Sequence, residues 1–146
     1  MVRSLTKLTD CFEKGLLQRG LRQPDLAVKD LNQATFFLNE ASDLLDQNRK
    51  IIAALSWYNA FFHAARSLLF KDGIKERSHY CIARYIEENY VKNKKIKPVF
   101  LNAFETIMNI RHTAQYSTEK IEIEEDLAEL CNLCKEMITN VELLIK

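Results

Sequence analysis

Between residues 49 and 71 the chain is apolar on nearly every side of a helix, and that stretch dictates what can surround it. Ala53, Ala54, Leu55, Trp57, Tyr58, Phe61, Phe62, Ala64, Ala65, Leu68 and Leu69 cover most of the circumference at 100° per residue. Only Ser56, Asn59, His63 and Arg66 break the surface, and their spacing puts them on one side. A helix apolar all round lies at the centre of a domain or between two subunits. The remaining chain has to supply its cover. With 3 glycines and 2 prolines in 146 residues, it has few places for tight turns, so the cover is expected to be long helices.

The periodicity supplies them. A helix is predicted over residues 2–19, with Leu5, Leu8, Phe12 and Leu16 on one face and Gly20 as its stop. A second runs over 24–47, with Pro24 in its first turn and a seam of Leu31, Ala34, Leu38, Ala41 and Leu45. Gly73 closes the apolar helix, 74–78 is read as a turn, and a fourth helix spans 78–91. The basic run Lys92, Lys94, Lys95, Lys97 leads to Pro98, which opens a fifth helix. After a loop over 117–122, Ile123, Leu127, Leu130, Cys134, Met137, Val141 and Leu144 mark a sixth helix to residue 145. No strand alternation and no internal repeat is visible. The expectation is a single all-α domain over 1–146, an antiparallel up-and-down helical bundle of five to six helices.

A formal charge of +1 gives no whole-chain basic field, so a nucleic-acid contact would need a local patch. The lysine run at 92–97 is a solvated connection or a set of phosphate contacts; only Tyr90 accompanies it, which argues against a base-stacking platform. No apolar run approaches the roughly 20 residues that cross a bilayer. The first residues mix charge with apolar side chains and lack a signal-peptide core, so a cytoplasmic location and no membrane partner are expected. Of Cys11, Cys81, Cys131 and Cys134, the last two form a C-x-x-C on a helical stripe, where cysteines are usually small core residues. With no second ligand pair, neither a metal nor a cofactor is expected. Glu122, Glu124, Glu125 and Asp126 suit a helix N-terminus.

Arg111 stands out. Phe100, Phe104, Ile107 and Arg111 share a narrow arc of the fifth helix, so a guanidinium sits on a stripe that has been apolar for three turns. Such a charge needs a partner or a wet cleft. It is either paired to a glutamate of the sixth helix or a planar fork for phosphate oxygens. The polar segment His112-Thr113-Ala114-Gln115-Tyr116-Ser117 follows it, and Tyr116 is either a helix-end cap or a neighbour in the same cleft. Ser56, Asn59, His63 and Arg66 line a pocket or form the wet side of their helix. His79 or His112 would serve as a general base only where the fold brings an imidazole beside Arg111.

Two stretches resemble a known family. Tyr58-Asn59-Ala60-Phe61-Phe62-His63-Ala64-Ala65-Arg66-Ser67-Leu68-Leu69-Phe70, then Gly73-Ile74 and Ser78-His79-Tyr80, resemble the central helices of HEPN domains. So does the Arg-x-x-Ala-x-Tyr pattern of Arg111, Ala114 and Tyr116. The likeness runs over about 26–145 and agrees with a small stand-alone prokaryotic branch of that superfamily. It implies an all-α bundle, commonly a homodimer, often paired with a small nucleotidyltransferase as toxin and antitoxin or as a two-part module. Many HEPN proteins are metal-independent ribonucleases whose motif is an Arg, four to six residues, then a His. Here that window holds Tyr116, Ser117 and Thr118, and the nearby His112 adjoins the arginine. The His-x-Tyr ending of the toxin branch, whose tyrosine the partner enzyme modifies, is absent as well.

The expected function is a HEPN-type module, one half of a two-component system with a nucleotidyltransferase partner. It would bind RNA, nucleotide or that partner through Arg111 and Tyr116, with Asn59, His63 and Arg66 as further ligand-contacting residues. One alternative is a divergent metal-independent ribonuclease using Arg111 with His112 or His79. Another is a purely structural interaction domain, with Arg111 paired internally.

Overall fold

The apolar segment becomes the central helix of the molecule. In the computed structural model, which describes residues 7–146, the described residues contain six α-helices. They are α1 (Leu8–Glu13), α2 (Pro24–Asp46), α3 (Lys50–Asp72), α4 (His79–Ile86), α5 (Pro98–Tyr116) and α6 (Leu127–Ile145). The all-α bundle expected from periodicity is what forms. Trp57, Phe61, Leu68 and Leu69 of α3 are fully buried, with α2, α5 and α6 packed around them.

The α2–α3 hairpin is close-packed because small residues face each other: Ala34 and Ala41 on one helix and Ala53, Ala60 and Ala64 on the other are inaccessible to solvent. Two polar stitches fix its antiparallel register. Ser56 Oγ donates to the Phe37 carbonyl at 2.9 Å, and Ser67 Oγ donates to the Ala27 carbonyl at 2.7 Å. Across the core, Phe104 of α5 stacks on Phe61 and Tyr58, each 6.1 Å between centroids. A π-helical turn, Glu87–Val91, extends α4. Buried Arg84 spans this corner, reaching Glu87 at 2.5 Å and Glu105 of α5 at 2.9 Å.

Two expectations change. The predicted first helix over 2–19 is, among the described residues, only Leu8–Glu13; its first residues lie outside them. Gly15, at φ +70°, turns the chain, and Leu17–Arg19 form a strand, β1, whose Leu17 is buried. It pairs antiparallel with β2 (Ile74–Glu76), in the segment read as a turn, with Leu17 opposite Glu76 and Arg19 opposite Ile74. Thus the absence of strands does not hold, and Gly20 ends a strand rather than a helix. Its N–H donates to the Gly73 carbonyl at 2.7 Å. Gly73 caps α3 at φ +76°, and a Cβ there would lie 2.6 Å from the Gly20 carbonyl oxygen, so this crossing accepts only glycine.

Second, α6 starts at Leu127, not at 123. Asp126 caps it by accepting the Glu129 N–H at 3.1 Å, leaving the preceding acids in the loop. Cys11 and Cys81, for which sequence offers no pairing, form a disulfide joining α1 to α4 across 70 residues. Cys134 is buried and Cys131 half-buried on α6, where the apolar stripe puts them. No helix of the described residues is long and apolar enough to cross a membrane.

Candidate functional site

Three elements converge where α5 crosses the middle of α3. Tyr58, Phe62 and Arg66 lie four residues apart on α3 and form a stripe. α5 lays Arg111 over its start, and β2 delivers His79, the first residue of α4, beside it.

Arg111 is half-buried, its guanidinium carbon 4.7 Å from the centroid of the Tyr58 ring. No carboxylate of the described residues pairs with it, so of the two readings of Arg111 the bond to a glutamate of α6 is not made there. Its charge rests on the π face of a tyrosine, which holds the fork without consuming its N–H donors. Tyr58 is buried, its hydroxyl hydrogen-bonded to His79 Nδ1. Burial pushes the Tyr58 phenol up to about 12, against the opposing pull of Arg111. His79 also packs on Phe62, 4.4 Å between ring centroids. Burial first, then the charges of Arg111 and Arg66, lower its pKa below the ordinary value, which keeps the imidazole neutral at pH 7.

One turn along α3 a second network begins. Buried Asp30 of α2 accepts two hydrogen bonds from Arg66, at 2.8 and 2.9 Å, and contacts His63 Nδ1 at 2.6 Å. Burial alone would raise the Asp30 carboxyl, but the hydrogen bonds and charges of Arg66 and His63 outweigh it and hold it below the ordinary value. Arg66 also faces Glu76 of β2 at 3.8 Å and lies over Phe62 at 5.0 Å. Burial pushes the Glu76 carboxyl up, with Arg66 countering. His63 stacks nearly parallel on Phe37, with centroids 5.4 Å apart. Asn59 is half-buried, with no side-chain hydrogen bond among the described residues.

The fold therefore brings Arg111 and His79 together, with Phe62 linking them to Arg66 and His63. It does not bring His112 or Tyr116. His112 is exposed, and its ring lies 4.9 Å from that of Tyr116, which ends α5 and is 68% exposed. The sequence reading overlooked Tyr58 and Phe62, taken as core surface, and the acids Asp30 and Glu76. Asp30 left a signal: it stands four residues before Ala34 on the buried seam of α2. An acid on such a seam needs a polar partner, and Arg66 and His63 break the apolar surface of the facing helix.

The arrangement offers a guanidinium with open donors stacked over Tyr58, and a neutral imidazole packed on Phe62 nearby. That combination suits the oxygens of an anion better than a metal ion, and no group of three or more His, Cys, Asp or Glu among the described residues is placed to hold one. No curated protein and no solved structure matches the chain. A family model described as the HEPN domain matches residues 28–144, which hold all of α3 to α5 and nearly all of α2 and α6. With that match over most of its length, the chain belongs to the HEPN domain family.

Proposed function

We propose that this HEPN domain is a binding module for a phosphate-bearing ligand, RNA or a nucleotide, taken up where Arg111, Tyr58 and His79 meet. The observation that carries the reading is the Arg111 guanidinium, without a carboxylate among the described residues and held over Tyr58 beside a neutral histidine. A guanidinium already neutralised by a glutamate would have little to offer a phosphate; this one keeps its fork. With Tyr58 donating to Nδ1, the neutral imidazole carries its proton on Nε2 and adds a hydrogen-bond donor without a second charge. Titration of a labelled single-stranded RNA and of a nucleoside monophosphate, against the native chain and Arg111→Ala, tests this. Saturable binding lost in the variant supports it, and equal binding by both removes Arg111 from the site.

The domain works, in this reading, as a cytoplasmic homodimer and as one half of a two-component system with a nucleotidyltransferase-type partner, as the family resemblance implies. Co-purification with the product of a neighbouring nucleotidyltransferase gene tests the pairing.

A metal-independent ribonuclease is the second reading, favoured by the approach of His79 to Arg111. It needs the other tautomer, with Nδ1–H donating to Tyr58 and Nε2 free as the base. The base is then His79 and not His112. RNA cleavage in EDTA that is lost in both Arg111→Ala and His79→Ala would establish it.

A further inference from the structure

The segment before α2 braces the site from behind. Residues 7–27 lie before the HEPN match, which opens at residue 28. Of these, residues 11–19 run antiparallel along residues 74–81. β1 pairs with β2 from Arg19–Ile74 to Leu17–Glu76, the Arg77 N–H donates to the Leu16 carbonyl at 2.8 Å, and Cys11 is bonded to Cys81. That strip carries the site. Glu76 faces Arg66; Ser78 caps α4 by accepting the Cys81 N–H at 3.2 Å; and His79, between Ser78 and Cys81, is hydrogen-bonded to Tyr58 beneath Arg111. The bridged cysteine is two residues from the imidazole and shares its first helical turn.

We propose that the Cys11–Cys81 disulfide is a redox latch on the Arg111–Tyr58–His79 site. Closed, it holds β2 and the first turn of α4, and so His79, in the binding geometry; open, it lets that turn move away from Tyr58. This inference rests on the anion-binding reading above. Closing is thiol–disulfide exchange. One protein thiolate attacks a sulfur of a low-molecular-weight disulfide and expels one thiolate; the second protein thiolate then attacks the mixed disulfide and expels the other. Two protein thiols are oxidised and the external disulfide is reduced to two thiols; opening is the reverse, with external thiols as reductant. In the reducing cytoplasm proposed above, such a bond persists only while an oxidant maintains it. Both sulfurs are buried, so opening proceeds through local unfolding of α1, a helix of six residues at the edge of the bundle. Cys131 and Cys134 share one helix and would constrain nothing if joined.

The test uses the full chain, oxidised with glutathione disulfide or reduced with a phosphine, with free thiols counted by mass after alkylation. Histidine ring resonances and amide exchange over 74–82 report on the latch; a labelled single-stranded RNA reports on binding. Reduction is expected to shift the His79 ring resonance, raise exchange over 74–82 while α2 and α3 stay protected, and weaken RNA binding about tenfold. Cys11→Ser should show the reduced pattern under both conditions. An unmoved His79 resonance, or loss of the whole fold on reduction, overturns the latch. RNA bound equally in both states overturns its regulatory role and leaves the binding reading intact. A shifted His79 with no RNA bound in either state keeps the mechanical latch and fails the binding reading instead.

Discussion

Arg111 is the residue on which the functional reading turns, and its surroundings predict how substitutions behave. Arg111→Ala removes charge-assisted bonds worth about 1.5–3 kcal/mol, so affinity for a phosphate-bearing ligand should fall about 10- to 100-fold. Folding stability should change by about 1–2 kcal/mol, the worth of a half-buried cation–aromatic contact. Arg111→Lys should recover little of the affinity, because an ammonium keeps the charge and loses the fork. Isothermal titration paired with urea unfolding separates the two effects. His79 predicts a pH dependence. Its folded pKa lies below the ordinary 6.5, so the unfolded chain takes up the proton first as pH falls. Stability is therefore flat above about 6.5 and declines as pH drops from there toward the folded value. His79→Asn should flatten that limb in denaturant midpoints measured across the mildly acidic range. Sequence singled out Arg111 because a cation on an apolar stripe is visible as a broken period. It could not choose His79 over His112, since nearness along the chain says nothing about which imidazole folding delivers.

At the scale of elements, legibility followed length. Helices α2, α3 and α5 show enough turns for a 3.6-residue period to emerge, and their bounds fall within a residue or two of the expected ones. The two strands have three residues each, too few for alternation to register, and their pairing is decided by the crossing of Gly20 and Gly73. Gly73→Ala tests that crossing. The left-handed backbone and the backbone oxygen 2.6 Å from the new Cβ should together cost about 2 kcal/mol or more, read as a lower denaturant midpoint. Asp30 ties α2 to α3 at the level of the site. Asp30→Ala leaves Arg66 and His63 without their shared carboxylate and should cost about 3 kcal/mol. Asp30→Asn, which keeps the shape and loses the charge, should fall between that variant and the native chain.

For the molecule as a whole, the disulfide closes a loop of 70 residues between an edge helix and the bundle. No spacing pattern announced it, because Cys11 and Cys81 lie in different elements and neither flank is unusual. Loop-closure entropy assigns such a crosslink about 4 kcal/mol. Reduction should then lower the melting temperature by roughly 10–15 °C while leaving the native fold populated at room temperature. Calorimetry with and without reductant measures it. The strand clip has one more consequence, for where this domain can be cut. The family match opens inside α2, and a chain begun at that point would start in mid-helix, strip β1 from β2 and leave Cys81 without its partner sulfur. A boundary drawn by sequence kinship therefore trims away part of the folding unit. Anyone preparing a minimal fragment should begin upstream of Cys11 or expect a sticky, poorly ordered product.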